Sequence, residues 1–478
     1  MTLRNGLLAL PGSTEPVRGD IRVSGERIAE IGIGLGPDEE GNVDVSGLMV
    51  FPAAIDPHVH FDDPGFTHRE DFLHGSMEAA RGGVGTVIDM PCTSLPPVTT
   101  KAGLENKLQA VRGKAVVDYA FFGGVSGGEI DTALSGAMAE LAPFVVGYKC
   151  YFVSGMETFT AVDHDMFPRV VAEAARLGRP VLLHAEDSDC VGGAAARLKA
   201  ERARTGRAPA WDDWTGERSR DAELVAAVSS IALARSHPKT LHIVHVGTAE
   251  VAVEVARSGA SCETCAHYLA FTEDDFDRLG AALKTAPPVK TRSDREALWR
   301  LLADGTIAFL SSDHAPAPES EKNTGNPLSA YGGIPGVGTG FPFLLSEGYF
   351  SGRLSLPRFL DATSGAASRR YGLSARKASI AVGKDADFAI VDPAETTTIE
   401  GAKLLSLGRI TPFEGMRLTG KIVATWLRGK PVYSASGPGA SFEAAKRAAG
   451  GRDAAPVSES GEIVVEPGYG KFLSWGYR

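Results

Sequence analysis

Short apolar runs that stop on a polar residue recur along the chain. LMVFPAAID precedes His58, FVVGY precedes Lys149, PVLL precedes His184, LHIV precedes His245 and IAFLSS precedes Asp313. Runs of strand length with this character are the pattern of buried parallel strands, whose carboxyl ends can face one shared site. Eight are found: the run ending at His58, then VGTVIDM, VVDYAFFGG, FVVGYKCYF, PVLLHAE, TLHIVHVG, SCETCAHY and IAFLSSDHA. Between them lie Ala-, Leu- and Arg-rich stretches such as HDMFPRVVAEAARLG, which read as helices. This alternation predicts an α/β fold, a (β/α)8 TIM barrel, with its active site at the carboxyl ends of the strands.

The two ends of the chain carry a different pattern. Up to about Val50, runs such as DIRVSG, RIAEIG and VDVSG alternate with Gly-rich turns, and KDADFAIVD, KIVATWLRG and KPVYS return to it late. Both ends are therefore expected to pair into one small β-sandwich outside the barrel. The division is residues 1–50 for the first part of the sandwich, 51–375 for the barrel, 376–436 for the second part, and 437–478 for a linker and docking tail. That last segment is rich in Gly, Ala and Ser before EIVVEPGYGKFLSWGYR. Left exposed, Val464, Val465, Phe472, Leu473 and Trp475 would favour aggregation, so the tail is expected to pack on a barrel. A neighbour's barrel is preferred to its own, which predicts a homo-oligomer, dimer or tetramer.

Composition narrows the function classes. With 43% hydrophobic and 23% charged residues the chain is globular, and no apolar segment approaches the roughly 20 residues of a membrane helix. A formal charge of -10 without a basic cluster argues against nucleic acid as a partner. The start, MTLRNGLLALPGSTEPVRGD, lacks a sustained signal core, so the cytoplasm is the expected location. Five cysteines suit reduced thiols. Cys262 and Cys265 are three apart on a predicted strand and face opposite sides, which speaks against a redox or zinc pair.

The polar residues ending the runs supply metal-ligand chemistry. His58 and His60, two apart on a strand, point to the same face and can reach one ion. His184 and His245 suit a second ion at an imidazole site of the kind zinc favours. Asp313 can ligate with one oxygen and accept a proton with the other. Lys149 is the odd member, because an ammonium cannot ligate a cation and a buried one is costly to desolvate. It could snorkel to solvent or pair with Asp313. Carboxylation by carbon dioxide to an anionic carbamate, able to bridge two metals, is the preferred reading.

The segments FPAAIDPHVHFDDPGFTHREDF, GYKCYF, LLHAED, IVHVGT and SSDHAP resemble the motifs of the amidohydrolase superfamily, in its cyclic amidohydrolase branch. That branch contains dihydroorotases, allantoinases and the hydantoinases or dihydropyrimidinases. The resemblance implies that His58, His60, Lys149, His184, His245 and Asp313 hold two divalent ions, usually Zn2+ with Mn2+ or Co2+ as alternatives, and that Lys149 is carboxylated by carbon dioxide. Such a pair lowers the pKa of a bridging water and polarises the scissile carbonyl. Asp313 would take a proton and pass it to the leaving nitrogen. The reaction implied is hydrolytic opening of a cyclic amide, imide or ureide at a C–N bond. Cys150, next to Lys149, points away from the metals by alternation.

Substrate positions separate the branches. Where dihydroorotases place Arg, Asn, Asn and His, this chain has Asp62, Cys92, Ala286 and Ala317. Asp62 in place of a guanidinium opposes an anionic ring, which disfavours dihydroorotate. DMPCTSLPP, GYKCYF, CETCAHY, KTAPPVK and SAYGGIPGV resemble allantoinases, although Cys92-Thr93 replaces their usual Leu-Asn. Hydantoinases carry a tyrosine where this chain has Ser154, although GYGKFL resembles their tails. The expected substrate is a small neutral cyclic amide or ureide, contacted by Asp62, Cys92, Ser154, His267 and Gly333. A non-catalytic scaffold is the contrasting reading, and the six intact ligand positions favour the enzyme.

Overall fold

The structure, a computed structural model, describes residues 1–36, 41–435 and 462–478. The run LMVFPAAID, which reads as a single strand, is two. Met49–Pro52 belongs to the outer sheet and Ala54–Val59 to the barrel, with Ala53 alone between them.

The eight predicted barrel runs form a succession of parallel strands. Ala54–Val59 pairs with Val84–Asp89, which pairs with Asp118–Phe121. The third strand continues as Gly123–Gly124 beside Tyr148–Tyr151, and Val181–His184, Leu241–Ile243, Ser261–Cys265 and Phe309–Ser311 follow in order. The barrel closes where His60 N donates to His314 O at 2.8 Å and His314 N to His58 O at 3.3 Å. Helices alternate with the strands. Met166–Arg176, the helix read from HDMFPRVVAEAARLG, buries Phe167, Val170, Val171 and Ala174, the spacing of one helical face. Side chains of Ile88, Phe122, Val146, Leu182, Val244 and Phe309 fill the barrel, so its interior is a packed core.

The outer sheet joins both ends of the chain. Its order is Glu462–Ile463, Lys430–Ser434, Arg417–Leu427, Phe388–Thr398, Met49–Pro52, Thr2–Leu8, Val17–Ser24 and Arg27–Gly32, with Asn42–Asp44 also on Thr2–Leu8. Leu3, Ile21, Ile28, Val50, Ile390 and Trp426 meet in a core of its own, the expected sandwich.

Residues 462–478 dock on their own chain, while 436–461, which include the predicted linker, lie outside the described residues. Tyr119 N donates to Lys471 O at 2.9 Å and Leu473 N to Tyr119 O at 2.7 Å. Tyr119 presents these groups on the same edge as Phe121, whose carbonyl accepts from Val146 of the fourth-strand segment at 3.0 Å. The tail therefore fills the opening between the third and fourth strands, and Leu473 is fully buried in the barrel interior. Asp118 fixes it further: its carboxylate accepts from Lys471 N at 2.7 Å and pairs with Lys377 at 2.6 Å.

Candidate metal centre and pocket

Alternation sorts the side chains of the fourth strand. Lys149 and Tyr151 point into the barrel, while Cys150 faces the surrounding core. Register does the rest, because Tyr151 pairs with His184 and so brings the ends of two strands level. His245 and Asp313 lie just beyond their strands at φ 40° and 49°. A non-glycine residue in the left-handed region is uncommon, and such strain gathers where side chains must be aimed.

The expected ligands converge in two groups. His58 Nε2 is 3.1 Å and His60 Nε2 3.3 Å from the same Asp313 oxygen, Oδ1. His184 Nδ1 faces His245 Nε2 at 2.9 Å, and the His58 and His245 rings, 5.4 Å apart between centroids, link the groups. Lys149 Nζ is fully buried without a hydrogen-bond partner, so it neither snorkels nor pairs with Asp313.

Two carboxylates that the run-end pattern does not single out stand behind the histidines. Glu263 Oε1 is 2.6 Å from His58 Nδ1, and its second oxygen is 3.1 Å from His242 Nε2. Glu186 Oε2 is 2.9 Å from His184 Nε2 and also pairs with Arg218. Each holds the ring nitrogen that faces away from the centre, leaving Nε2 of His58 and Nδ1 of His184 to point inward. The available signal was a charged residue inside a buried run, as in SCETCAHY, or one two residues past a ligand, as in LLHAED.

Electrostatics suits cation binding. Burial, with Lys149 adding to it, holds His58 well below the usual histidine range; burial also holds His245 well below it and lowers His184. All three are therefore neutral donors. Burial also lowers Lys149, favouring the neutral amine. At Asp313 burial works upward, but the His58 and His60 nitrogens facing Oδ1, the second on a ring held protonated, outweigh it and hold the carboxyl well below its usual range. His60 is the exception: against burial, Cys92 and Asp313 raise it to about 10, so a bound ion would have to displace its proton. With that proton lost, four imidazoles, one carboxylate and a buried unpartnered amine are a donor set that fits a pair of divalent ions.

The five expected substrate contacts are placed differently. Both Asp62 oxygens are buried and unpartnered, and burial pushes the carboxyl up to about 7. Cys92 Sγ is 3.0 Å from Tyr151 Oη and 3.8 Å from His60 Nδ1. His267 Nε2 is buried without a partner, and burial lowers the ring to about 4. Ser154 instead donates to Phe159 O at 2.6 Å and accepts from Met156 N at 3.2 Å within its own loop. Gly333 N donates to Lys284 O at 2.9 Å, and its carbonyl accepts from Lys322 Nζ at 2.8 Å. Cys262 and Cys265 are buried free thiols.

The sequence model described as "Amidohydrolase family" matches residues 49–432. The chain belongs to the amidohydrolase family. It is 37% identical to the allantoinase of Rubrobacter xylanophilus over 91% of this chain and 98% of that one, and 34% identical to the allantoinase of Deinococcus radiodurans over 91% and 95%. Among solved structures it is similar to the L-hydantoinase (dihydropyrimidinase) of Arthrobacter aurescens, with TM-score 0.87 and 28% identity over 99% of both chains. This amidohydrolase is thus a metal-dependent hydrolase with a TIM barrel and a terminal β-sandwich. Among the described residues no helix is long and apolar enough to cross a membrane.

Proposed function

We propose that this amidohydrolase opens a small neutral cyclic ureide, with allantoin as the first candidate, by hydrolysis of a ring C–N bond. The meeting of His58 and His60 at Asp313, the His184–His245 pair linked to it through the His58 and His245 rings, and the unpartnered Lys149 carry the reading. His58 and His60 would hold one divalent ion through Nε2, and His184 Nδ1 with His245 Nε2 a second, with Asp313 and carboxylated Lys149 as the anionic ligands. Zn2+ suits the imidazoles best, with Mn2+ and Co2+ as alternatives. When bound, such a pair activates water and polarises a carbonyl at neutral pH.

The chain's own residues do the remainder. Neutral Lys149 Nζ attacks the carbon of carbon dioxide and loses a proton, leaving a carbamate. Asp313 accepts a proton from the attacking water and hands it to the departing ring nitrogen, whose bond to the carbonyl carbon breaks. Asp62, Cys92 and His267 line the ring site, and Ser154 and Gly333 shape it through their loops.

Two allantoinases at 37% and 34% identity support the substrate choice. Arg69 does not restore the anion clamp expected in dihydroorotases, because it is bound to Glu321 at 2.8 Å. A second reading, hydantoin or dihydropyrimidine opening, is favoured by the structural neighbour from Arthrobacter aurescens. We read the protein as cytoplasmic and as a homo-oligomer, dimer or tetramer. Val225 and Val228, exposed one turn apart on helix Arg220–Leu233, support the assembly. The deciding experiment loads purified protein with zinc, manganese or cobalt and assays allantoin, hydantoins, dihydrouracil and dihydroorotate. Allantoin turnover above the others is expected; preference for dihydroorotate would overturn the reading.

A further inference from the structure

Two lysines are buried against backbone carbonyls beside the pocket. Lys284 is 2% exposed and donates to Leu328 O at 3.0 Å and Ala330 O at 2.7 Å, with its ammonium 4.0 Å from the centre of the Trp214 ring. Lys322 is 1% exposed and donates to Tyr331 O at 3.1 Å and Gly333 O at 2.8 Å. Among the described residues no carboxylate pairs with either. Burying an ammonium without a counter-charge is expensive, so what the pair holds needs a reason.

What they hold is residues 328–333, a stretch without helix or extended strand. The main chain of Lys284 also takes part, since its carbonyl accepts from Gly333 N at 2.9 Å. Within the stretch, the Tyr331 phenol lies in the electrostatic reach of Asp62, Cys92 and Asp313. Its ring carries the Arg69 guanidinium at 4.5 Å. Tyr331 thus stands beside these pocket residues; its N donates to Glu321 O at 2.8 Å in helix Glu319–Lys322, the helix that carries Lys322, so main chain and lysine pegs fix it from the same side.

We propose that Lys284 and Lys322 are positioning residues, two ammonium pegs that hold residues 328–333 and so set the Tyr331 wall against the bound ring. This rests on the pocket reading given above. Four carbonyls of one short stretch accept from only two side chains, a geometry that fixes backbone direction rather than adding bulk. Charge-assisted hydrogen bonds are about twice as strong as neutral ones, so the pegs weaken on losing their protons. Burial lowers Lys284 to about 8, with Arg218 adding to it and Glu217 opposing, and burial with Lys284 lowers Lys322 to about 7.

The test compares wild type with Lys284→Met and Lys322→Met, as metal-loaded full-length protein. Amide hydrogen exchange across 328–333 and steady-state kinetics would be measured from about pH 6 to about pH 9.5, corrected for intrinsic exchange. In wild type, exchange in this stretch and KM should both rise about ten-fold across that range while kcat stays level, the loss of roughly one strong hydrogen bond. Each variant should start with the raised KM and faster exchange, show a flatter pH profile, and keep its metal content. Unchanged exchange and KM in both variants, or a loss confined to kcat, would overturn the proposal. If a variant fails to fold, the wild-type exchange profile alone decides: a flat profile overturns the proposal. Inactivity of wild type on every ureide would instead count against the functional reading, since exchange is read without substrate.

Discussion

Lys149 concentrates the residue-scale argument, because a fully buried amine with no partner is stable only if something completes it. Lys149→Ala should therefore lose metal and activity together, and a small carboxylic acid should restore part of both. Full metal occupancy and normal turnover in the variant would contradict the carbamate. Asp313→Asn should keep the fold but lose about 10²–10⁴-fold in kcat, the usual worth of a positioned proton carrier. A rate within a few-fold of wild type would remove Asp313 from that role. Of the three buried histidines outside the proposed ligand set, His242, His267 and His314, the first two predict the acid behaviour of the metal-free protein. Burial holds His242 well below its usual range and His267 at about 4. The unfolded chain binds protons on both at about pH 6.5 while the folded chain refuses them, so stability falls as pH drops below that value. At about pH 5 each should cost up to about 2 kcal/mol, measurable as a lower urea midpoint than at about pH 7.5.

At the scale of elements, strand existence was legible because a buried parallel strand is largely apolar on both faces, a pattern that SCETCAHY, with Glu263 inside it, shows least. Strand boundaries were not. LMVFPAAID is uniformly apolar, and nothing in its composition marks Ala53 as the point where one sheet ends and another begins. The proposed ligand set could be picked out for a related reason, since each member is a polar residue ending an apolar run. Glu263 and Glu186 hide within or just past such runs; the first gains its value from facing His58 on another strand, the second from His184 two residues back and from Arg218. Ser154 stood at a suggestive spacing, yet its hydroxyl closes a turn onto Phe159, a local choice that spacing cannot reveal. Gly333 illustrates the connecting segments. A Cβ there would lie 2.8 Å from the Ala315 Cβ and 2.9 Å from the Tyr331 ring. Gly333→Ala should accordingly displace the pocket wall, raising KM and lowering stability by about 1–3 kcal/mol. An unaltered KM would place the wall elsewhere.

For the whole molecule, the tail was read as a docking element with a preference for a neighbour, and residues 462–478 pack on their own chain. The apolar residues announce burial, but the vacant edge beside Tyr119 that receives them exists only once the barrel is formed. Truncation after Ser436 removes Phe472, Leu473 and Trp475, and burial of Leu473 alone is worth about 1.5–3 kcal/mol. The shortened protein should melt at a lower temperature while its size in solution stays that of the full chain. A smaller particle would return the tail to the subunit interface. The junction at Ala53 has a calorimetric consequence. With one residue separating Pro52 of the outer sheet from Ala54 of the first barrel strand, and His58 four residues further on, neither layer can melt while the other keeps its shape. Heating should give one endotherm, and bound metal should raise its midpoint for the sandwich as much as for the barrel.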